Sequence, residues 1–310
     1  MSRIAVISTV RTPLAELRMF VHHHLEVGVD RVILYFDDPA DEALPEFCGY
    51  GRVTTIACTD EYWKNRGTLR PKAIEQRQIT NVNHGMTLAR GSGCRWAVHI
   101  DSDELIAPVV DLKHVLDGCE ADVLRFEMFE AVSERAAYPH IFAPTLFKAK
   151  PRRRQQILAK LLGCNRSFFQ GQYFRGHNTS KRAFALNGKV SEAGIHGPIQ
   201  ANEDAVWKAT RAIRLLHYDC VGFDNWRTKW SRRLDGTGYA SQIRPHRAEQ
   251  FRLFREAFEQ GEEELLCLYE RLYLIPWSEK LVLRALGLLK TITLNPATFE
   301  LRTGGMRGEA

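Results

Sequence analysis

Four consecutive residues carry the strongest chemical signal in this chain. Asp101, Ser102, Asp103 and Glu104 follow directly on the run Trp96-Ala-Val-His-Ile100. Two carboxylates two residues apart are hard oxygen donors, and both can address one divalent cation where a strand gives way to a turn. A cation held there can in turn hold a diphosphate. The plain alternative is a solvated strand-to-helix loop in which Ser102 or Asp103 caps a helix.

The element that must position these acids is the run before them. Trp96, Val98 and Ile100 alternate with Ala97 and His99, and His99 is the one polar member. Such a run fits a strand covered on both faces of an α/β sheet. Ligand sites in open α/β sheets lie at the carboxyl ends of strands, which is where the acids stand.

The chain before this strand reads as a βαβ unit. Arg3–Val10 is a first strand, Thr12 and Pro13 suit a helix start, and Gly28 stops that helix. Arg31–Phe36 is a second strand ending in Asp37-Asp38-Pro39, and Gly51–Ala57 a third. The dinucleotide fingerprint G-x-G-x-x-G is absent. Pro71 is expected to open a long helix whose apolar side is Ile74, Ile79, Val82, Met86 and Ala89.

Beyond the acidic stretch, Asp111–Leu116 reads as a short helix. Asp122–Phe129, Thr145–Lys148 and Arg182–Leu186 read as strands, with a loop or short helix near Gln155–Leu162. From Asn202 the pattern is read as helical: first Val206, Ala209, Ile213 and Leu216, then Phe223 to Leu234, then Phe251, Phe254 and Phe258. Leu265 to Tyr269 and Lys280 to Leu289 continue it. The tail after Pro296 is expected to fray.

Length and composition bound the answer. At 310 residues the chain can bury a full core. Ser2-Arg3 runs at once into Ile4–Ile7, too short for a secretory h-region, and no apolar run reaches a membrane span. Cys48, Cys58, Cys94, Cys119, Cys164, Cys220 and Cys267 are odd in number and form no C-x-x-C pair. They suit free thiols in a reducing cytoplasm. The net charge of +6 is partly gathered in Lys148-Ala-Lys-Pro-Arg-Arg-Arg154. That run suits a solvated surface or a contact with an anionic membrane or substrate. Without interleaved aromatics it is no nucleic-acid platform.

Together these pieces resemble the bacterial glycosyltransferase family 2-like proteins. The matching residues are Ile7-Ser-Thr-Val-Arg11, His22-His-His24 with Leu25–Asp30, Val32–Tyr35 with Asp37-Asp38, Gln78 and Asn81. They continue with Trp96–Leu105 and its D-x-D-E, then Lys181, Ile195-His196-Gly197, and His217-Tyr218 with Lys229. The resemblance covers roughly residues 3–230. It departs from the family's pattern after Arg11, where Thr12-Pro13 stands and the next acid is Glu16.

The resemblance implies an A-type glycosyltransferase fold, Rossmann-like, with a helical C-terminal extension. The expected division is a catalytic domain over residues 1–235 and the extension over 236–310. It implies a metal-dependent transferase that moves a sugar from a UDP- or GDP-sugar to a glycan or lipid-linked acceptor, by direct displacement with inversion at the anomeric carbon. The expected ion is Mn²⁺ or Mg²⁺ on Asp101 and Asp103, with His196 and His217 as further ligands or as structural histidines. Arg11, Asp37 and Asp38 are placed to meet the nucleotide, although Asp38 equally suits an Asx turn before Pro39. Lys181 and Lys229 could neutralise the diphosphate or lie at the surface. An inverting transfer needs a general base, for which Glu127 and Asp204 rank first, beside Glu130, Glu192 and Glu203.

Other functions compete. Nucleotidyl transfer would want a glycine-rich, lysine-bearing loop that Ile7–Pro13 lacks. A catalytically inactive glycan- or nucleotide-binding scaffold would keep the fold without turnover. The apolar stripes between Gln250 and Leu289 can cover the sheet, form a homodimer contact or rest on a membrane. The expected location is therefore the cytoplasm, with peripheral association at the inner face of the membrane.

Overall fold

The computed structural model describes residues 2–236 and 243–294. Along the chain run β1 (Ile4–Val10), α1 (Leu14–Glu26), β2 (Arg31–Phe36), α2 (Leu44–Phe47), β3 (Val53–Ala57), α3 (Asp60–Lys64), α4 (Ile74–Gly91) and β4 (Trp96–His99). Next come β5 (Glu104–Pro108), α5 (Leu112–Asp117), β6 (Val123–Ala131), β7 (Leu146–Ala149), α6 (Arg153–Leu161) and β8 (Arg182–Ala185). Then follow β9 (Val190–Ala193), β10 (Pro198–Ala201), β11 (Trp207–His217), α7 (Phe223–Leu234), α8 (Pro245–Gln260), α9 (Glu262–Tyr273), α10 (Trp277–Ala285) and β12 (Leu289–Thr291). The fold is an α/β, Rossmann-like core with a C-terminal run of helices, α8–α10. The expected fraying after Pro296 concerns residues outside those described.

The chain forms two compact units. The first holds residues up to Glu127 and Thr179–Leu215. Its strands β3, β2, β1 and β4 lie side by side and all parallel, with Val6 of β1 between Val32 and Val98. β8 adds antiparallel to β4, and β6 antiparallel to β8. The strands β1, β2 and β4 are buried along almost their whole length, as parallel strands covered on both faces must be. On one face α4 lies so close to β1 that a Cβ at Gly85 would meet Ile7 Cγ2 at 2.7 Å. Val82 and Met86 join Ile7, Tyr35 and Trp63 in the core there.

On α1, the paired histidines hold β5. His23 Nε2 lies 2.7 Å from the Ile106 carbonyl, His24 Nε2 accepts from the Ile106 N–H at 3.3 Å, and His24 Nδ1 lies 2.7 Å from the Phe20 carbonyl. Two buried imidazoles thus take both backbone groups of one strand residue, a structural task.

The second unit comprises Met128–Asn178 and Leu216–Leu294. The end of β6, β7 and β12 form an antiparallel set. One core gathers Met128, Ala159, Phe168 and Leu283. Another gathers Trp226, Trp230, Phe254, Leu265, Leu268 and Tyr269, so that α7, α8 and α9 share one aromatic interior. The expected helices after Phe223 are present, except that the last, read as Lys280 to Leu289, starts a turn earlier at Trp277 and ends at Ala285, and Leu289 opens the strand β12.

Three local readings need correction. The residues from Trp207 to His217 form a strand of 11 residues, not a helix. Val206, Ala209, Ile213 and Leu216 fit helical spacing by chance, while Ala209, Ile213 and Leu215 also alternate with period two. No helix follows the acids at 101–104. Glu104 opens β5, so neither Ser102 nor Asp103 is a cap. Pro71 does not open α4. The carbonyls of Pro71 and Lys72 accept from Arg77 Nη1 at 3.0 and 2.7 Å, and Ala73 stays extended before the helix starts at Ile74.

Burial lowers the His23 imidazole to about 4, against the raising effect of its Ile106 partner, and holds His24 well below its ordinary range. Unfolding in acid lets both rings bind protons that the fold excludes. Their contribution is therefore full above about pH 6.5 and falls as pH drops toward 4. His23→Gln is predicted to flatten this acid limb by up to about 3 kcal/mol. Urea unfolding of parent and variant between pH 7 and pH 4.5 checks this; identical pH slopes would contradict it.

Candidate functional site

The order of the parallel strands in the first unit puts a switch point between β1 and β4. From β1 the chain winds outward through β2 to β3, then returns over α4 to place β4 on the other side of β1. In such sheets the crevice beyond the carboxyl ends of the two switch strands is the natural ligand position. Arg11 lies one residue beyond the end of β1, and Asp101 lies two beyond the end of β4.

The acidic stretch is a closed turn. The Glu104 N–H donates to the Asp101 carbonyl at 3.0 Å, and the Asp101 N–H donates to Glu104 Oε2 at 2.9 Å. Beneath it stands Lys181, just before β8, with none of its surface exposed. Its Nζ donates to Asp101 Oδ2 at 2.8 Å and lies 3.6 Å from Glu104 Oε2. Gln78 of α4 donates to Asp101 Oδ1 at 2.7 Å. Burial opposes the charge on Lys181, but Asp101, Glu104 and Asp103 outweigh it and raise its pKa. Below them the His99 imidazole is held neutral, down to about 3, by burial and then by Lys181.

Both Asp101 oxygens therefore accept from protein donors. Each still keeps a lone pair that a divalent ion could use, and Asp103, partly exposed on the turn, is the more accessible of the two acids. The structure thus brings Asp101, Asp103 and Lys181 together, with His196 close enough to His99 to act on its charge.

The remaining candidates of this unit have other partners. Asp37 is buried at the end of β2, 2.7 Å from Arg77 Nε and 3.0 Å from Arg70 Nη2. Asp38 is exposed and accepts from the Ala40 N–H at 3.0 Å, an Asx turn. Arg11 is exposed. Glu127, about one-third exposed, lies 4.0 Å from Arg211 Nε. Asp204 is exposed and bonds to Lys189 Nζ at 2.6 Å.

The second unit holds its own cluster around His217, which ends β11. His217 stacks on His177, with ring centroids 4.7 Å apart and planes at 27°. Nitrogens of His177 and His217 lie within 4.8 Å of each other, as do ligand atoms of His217 and Asp219. Imidazole nitrogens and a carboxylate oxygen are donor types that suit a divalent ion, and within this unit they occur as two pairs that share His217. Asp219 also serves a structural pair: Lys229 Nζ donates to Oδ1 at 2.6 Å and Arg247 Nη1 to Oδ2 at 2.8 Å. Burial disfavours the Asp219 charge, but Arg247, Lys229 and His217 hold its carboxyl well below the usual range. Gly176 is required by close approach, since a Cβ there would stand 2.8 Å from His217 Cε1. Lys229, a candidate for a diphosphate contact or a surface lysine, is the partner of Asp219. Sequence reading missed His177 and Asp219. The spacing His217-x-Asp219 directly after a strand was the available signal.

No family model matches the chain, and no curated protein matches it. Solved structures similar to it include HddC from Yersinia pseudotuberculosis, with 11% identity, coverage of 70% of this chain and 93% of that chain, and a TM-score of 0.37. Another is 4-diphosphocytidyl-2C-methyl-D-erythritolsynthase from Anaerococcus prevotii DSM 20548, with 11% identity, coverage of 68% and 89%, and a TM-score of 0.35. A third is TarS 1-349 from S. aureus, with 11% identity, coverage of 84% and 74%, and a TM-score of 0.35.

Removing Lys181 leaves Asp101 and the fully buried Glu104 without their cation. Lys181→Met is predicted to destabilise the fold by about 3–5 kcal/mol, the usual result of breaking a buried pair from one side. Denaturant unfolding of the parent, Lys181→Met and Lys181→Arg checks it. A Met variant as stable as the parent would show that the pair does not hold the turn.

Proposed function

We propose that the chain is a metal-dependent glycosyltransferase of the A-type fold, acting on a nucleoside-diphosphate sugar. One observation carries this reading: an acidic turn at the carboxyl end of β4, beside the switch point of a parallel sheet. On this reading Asp103 meets Mn²⁺ or Mg²⁺ directly. Asp101, tied to Gln78 and Lys181, orients the turn. A bound divalent ion would stabilise the charge that develops on the diphosphate leaving group. Arg11, beyond the end of β1, is the cation best placed to meet the nucleotide. Asp37 serves better as the anchor of Arg70 and Arg77 than as a ligand contact.

His217, paired with His177 on one side and with Asp219 on the other, is a second position to be tested for the same class of ion. His196 remains a candidate ligand on the first unit. For the general base of an inverting transfer, Glu127 is preferred to Asp204. The hydrogen bond from Lys189 holds the Asp204 carboxyl below its ordinary range, and a weakened base takes a proton less readily. On this reading the acceptor is a glycan or a lipid-linked molecule. Among the described residues no helix is long and apolar enough to cross a membrane.

A second reading also has an observation behind it. Gln78 and Lys181 hold Asp101 in place without an ion, which suits a nucleotide- or glycan-binding scaffold without turnover. Calorimetric titration of UDP and GDP, with and without Mn²⁺, tests both. The transferase reading predicts Mn²⁺-dependent binding of one nucleotide, weakened at least about tenfold in Asp103→Ala, a loss of about 1.4 kcal/mol. It further predicts slow hydrolysis of the matching donor sugar. Binding without hydrolysis of any donor would favour the nucleotide-binding scaffold, and absence of nucleotide binding from folded protein would defeat the transferase reading and leave the glycan-binding scaffold.

A further inference from the structure

The basic stretch after Lys148 is a helix, and its apolar side faces outward. Within the second unit, α6 turns Ala159 inward to the core that contains Leu283 and Leu288, and Gln155 Nε2 donates to the Leu286 carbonyl at 2.9 Å. At about 3.6 residues per turn, Ile157 and Leu161 then stand on the side opposite Ala159. They are 51% and 79% exposed, and Leu158 and Leu162 beside them are 44% and 53% exposed. Arg153, Arg154 and Lys160 flank this ridge and are exposed themselves. No aspartate or glutamate occurs anywhere from Arg135 through Ser191.

Exposed leucines on a soluble helix are ordinarily scattered singly. Here they follow i, i+4 spacing at the centre of the exposed face, with cations on both flanks. That arrangement is complementary to a surface with an apolar interior and an anionic rim. We propose that α6 docks the chain on an anionic lipid bilayer. Ile157 and Leu161 enter the boundary between headgroups and acyl chains, and Arg153, Arg154 and Lys160 meet lipid phosphates. The inference stands independently of the transfer reading.

Two other occupants fit less well. A second copy of the same face would bring like charges together. A single-stranded nucleic acid needs aromatic side chains for stacking, and α6 has none.

Each basic side chain near an anionic surface strengthens binding by roughly fivefold. The test is flotation of the full chain with vesicles of phosphatidylcholine alone, or of phosphatidylcholine and phosphatidylglycerol in equal parts. The parent is expected to float only with the anionic vesicles. Replacing Arg153, Arg154 and Lys160 together by Gln is expected to weaken partitioning by about a hundredfold. Ile157→Ser with Leu161→Ser is expected to abolish flotation while leaving the melting temperature near that of the parent. Should that double variant fail to fold, Leu161→Trp supplies the reading: its added emission is expected to shift to the blue on anionic vesicles only. Equal binding to both vesicle types, or to neither, overturns the proposal. So does self-association of the parent, without flotation, that the serine variant removes.

Discussion

A lysine with no exposed surface, set between Asp101 and Glu104, is the interaction on which the candidate site depends. Glu104 at the start of β5 is fully buried and Asp101 beyond the end of β4 is partly so, and a buried charge needs a partner. Lys181 supplies it and is itself kept charged by them. The geometry follows from the sheet. β8 lies antiparallel beside β4, so the start of β8 meets the end of β4, and the residue just before β8 stands under the turn. Gln78 closes the arrangement from α4, whose near approach to β1 requires glycine at position 85.

The second unit uses the same physical device with the signs arranged differently. Asp219 is the buried anion between Lys229 and Arg247, and its two cations fix it beside His217. Nearby Glu130 accepts from the backbone N–H groups of Arg175 and Gly176, both at 2.7 Å. The Arg175 guanidinium in turn donates to the carbonyls of Leu272 at 2.7 Å and Ser167 at 3.2 Å. Fixing the Arg175-Gly176 pair this firmly sets the place of the next residue, His177, and hence of the ring stacked on His217. In both units, then, buried ion pairs determine the direction of the side chains that could hold a ligand. Lone removal of either partner is costly for that reason.

Much of this was legible in the chain itself. Ile4–Val10, Arg31–Phe36 and Trp96–Ile100 read as buried strands because parallel strands covered on both faces lack polar alternation. The acids at 101–104 were visible as types and spacing. Their direction was not. Asp101 and Lys181 are distant in sequence, and only the antiparallel seating of β8 on β4 makes one the partner of the other. The stretch from Trp207 to His217 was misread because its apolar residues satisfy two periods at once, and its pairing with β5 selected the strand. The exposed ridge of α6 was hidden for a related reason: Ile157, Leu158 and Leu161 look like core until the small Ala159 is found to be the residue that packs.

On the proposed function, a nucleoside diphosphate and its ion bind at the turn beyond the end of β4, beside the end of β1. Backbone hydrogen exchange with UDP or GDP and Mn²⁺, measured against the free chain, tests it most directly. Added protection is expected to be confined in the first unit to segments around residues 8–12 and 99–105, and to be lost again in Asp103→Ala. Nucleotide binding that leaves both segments unchanged would contradict it.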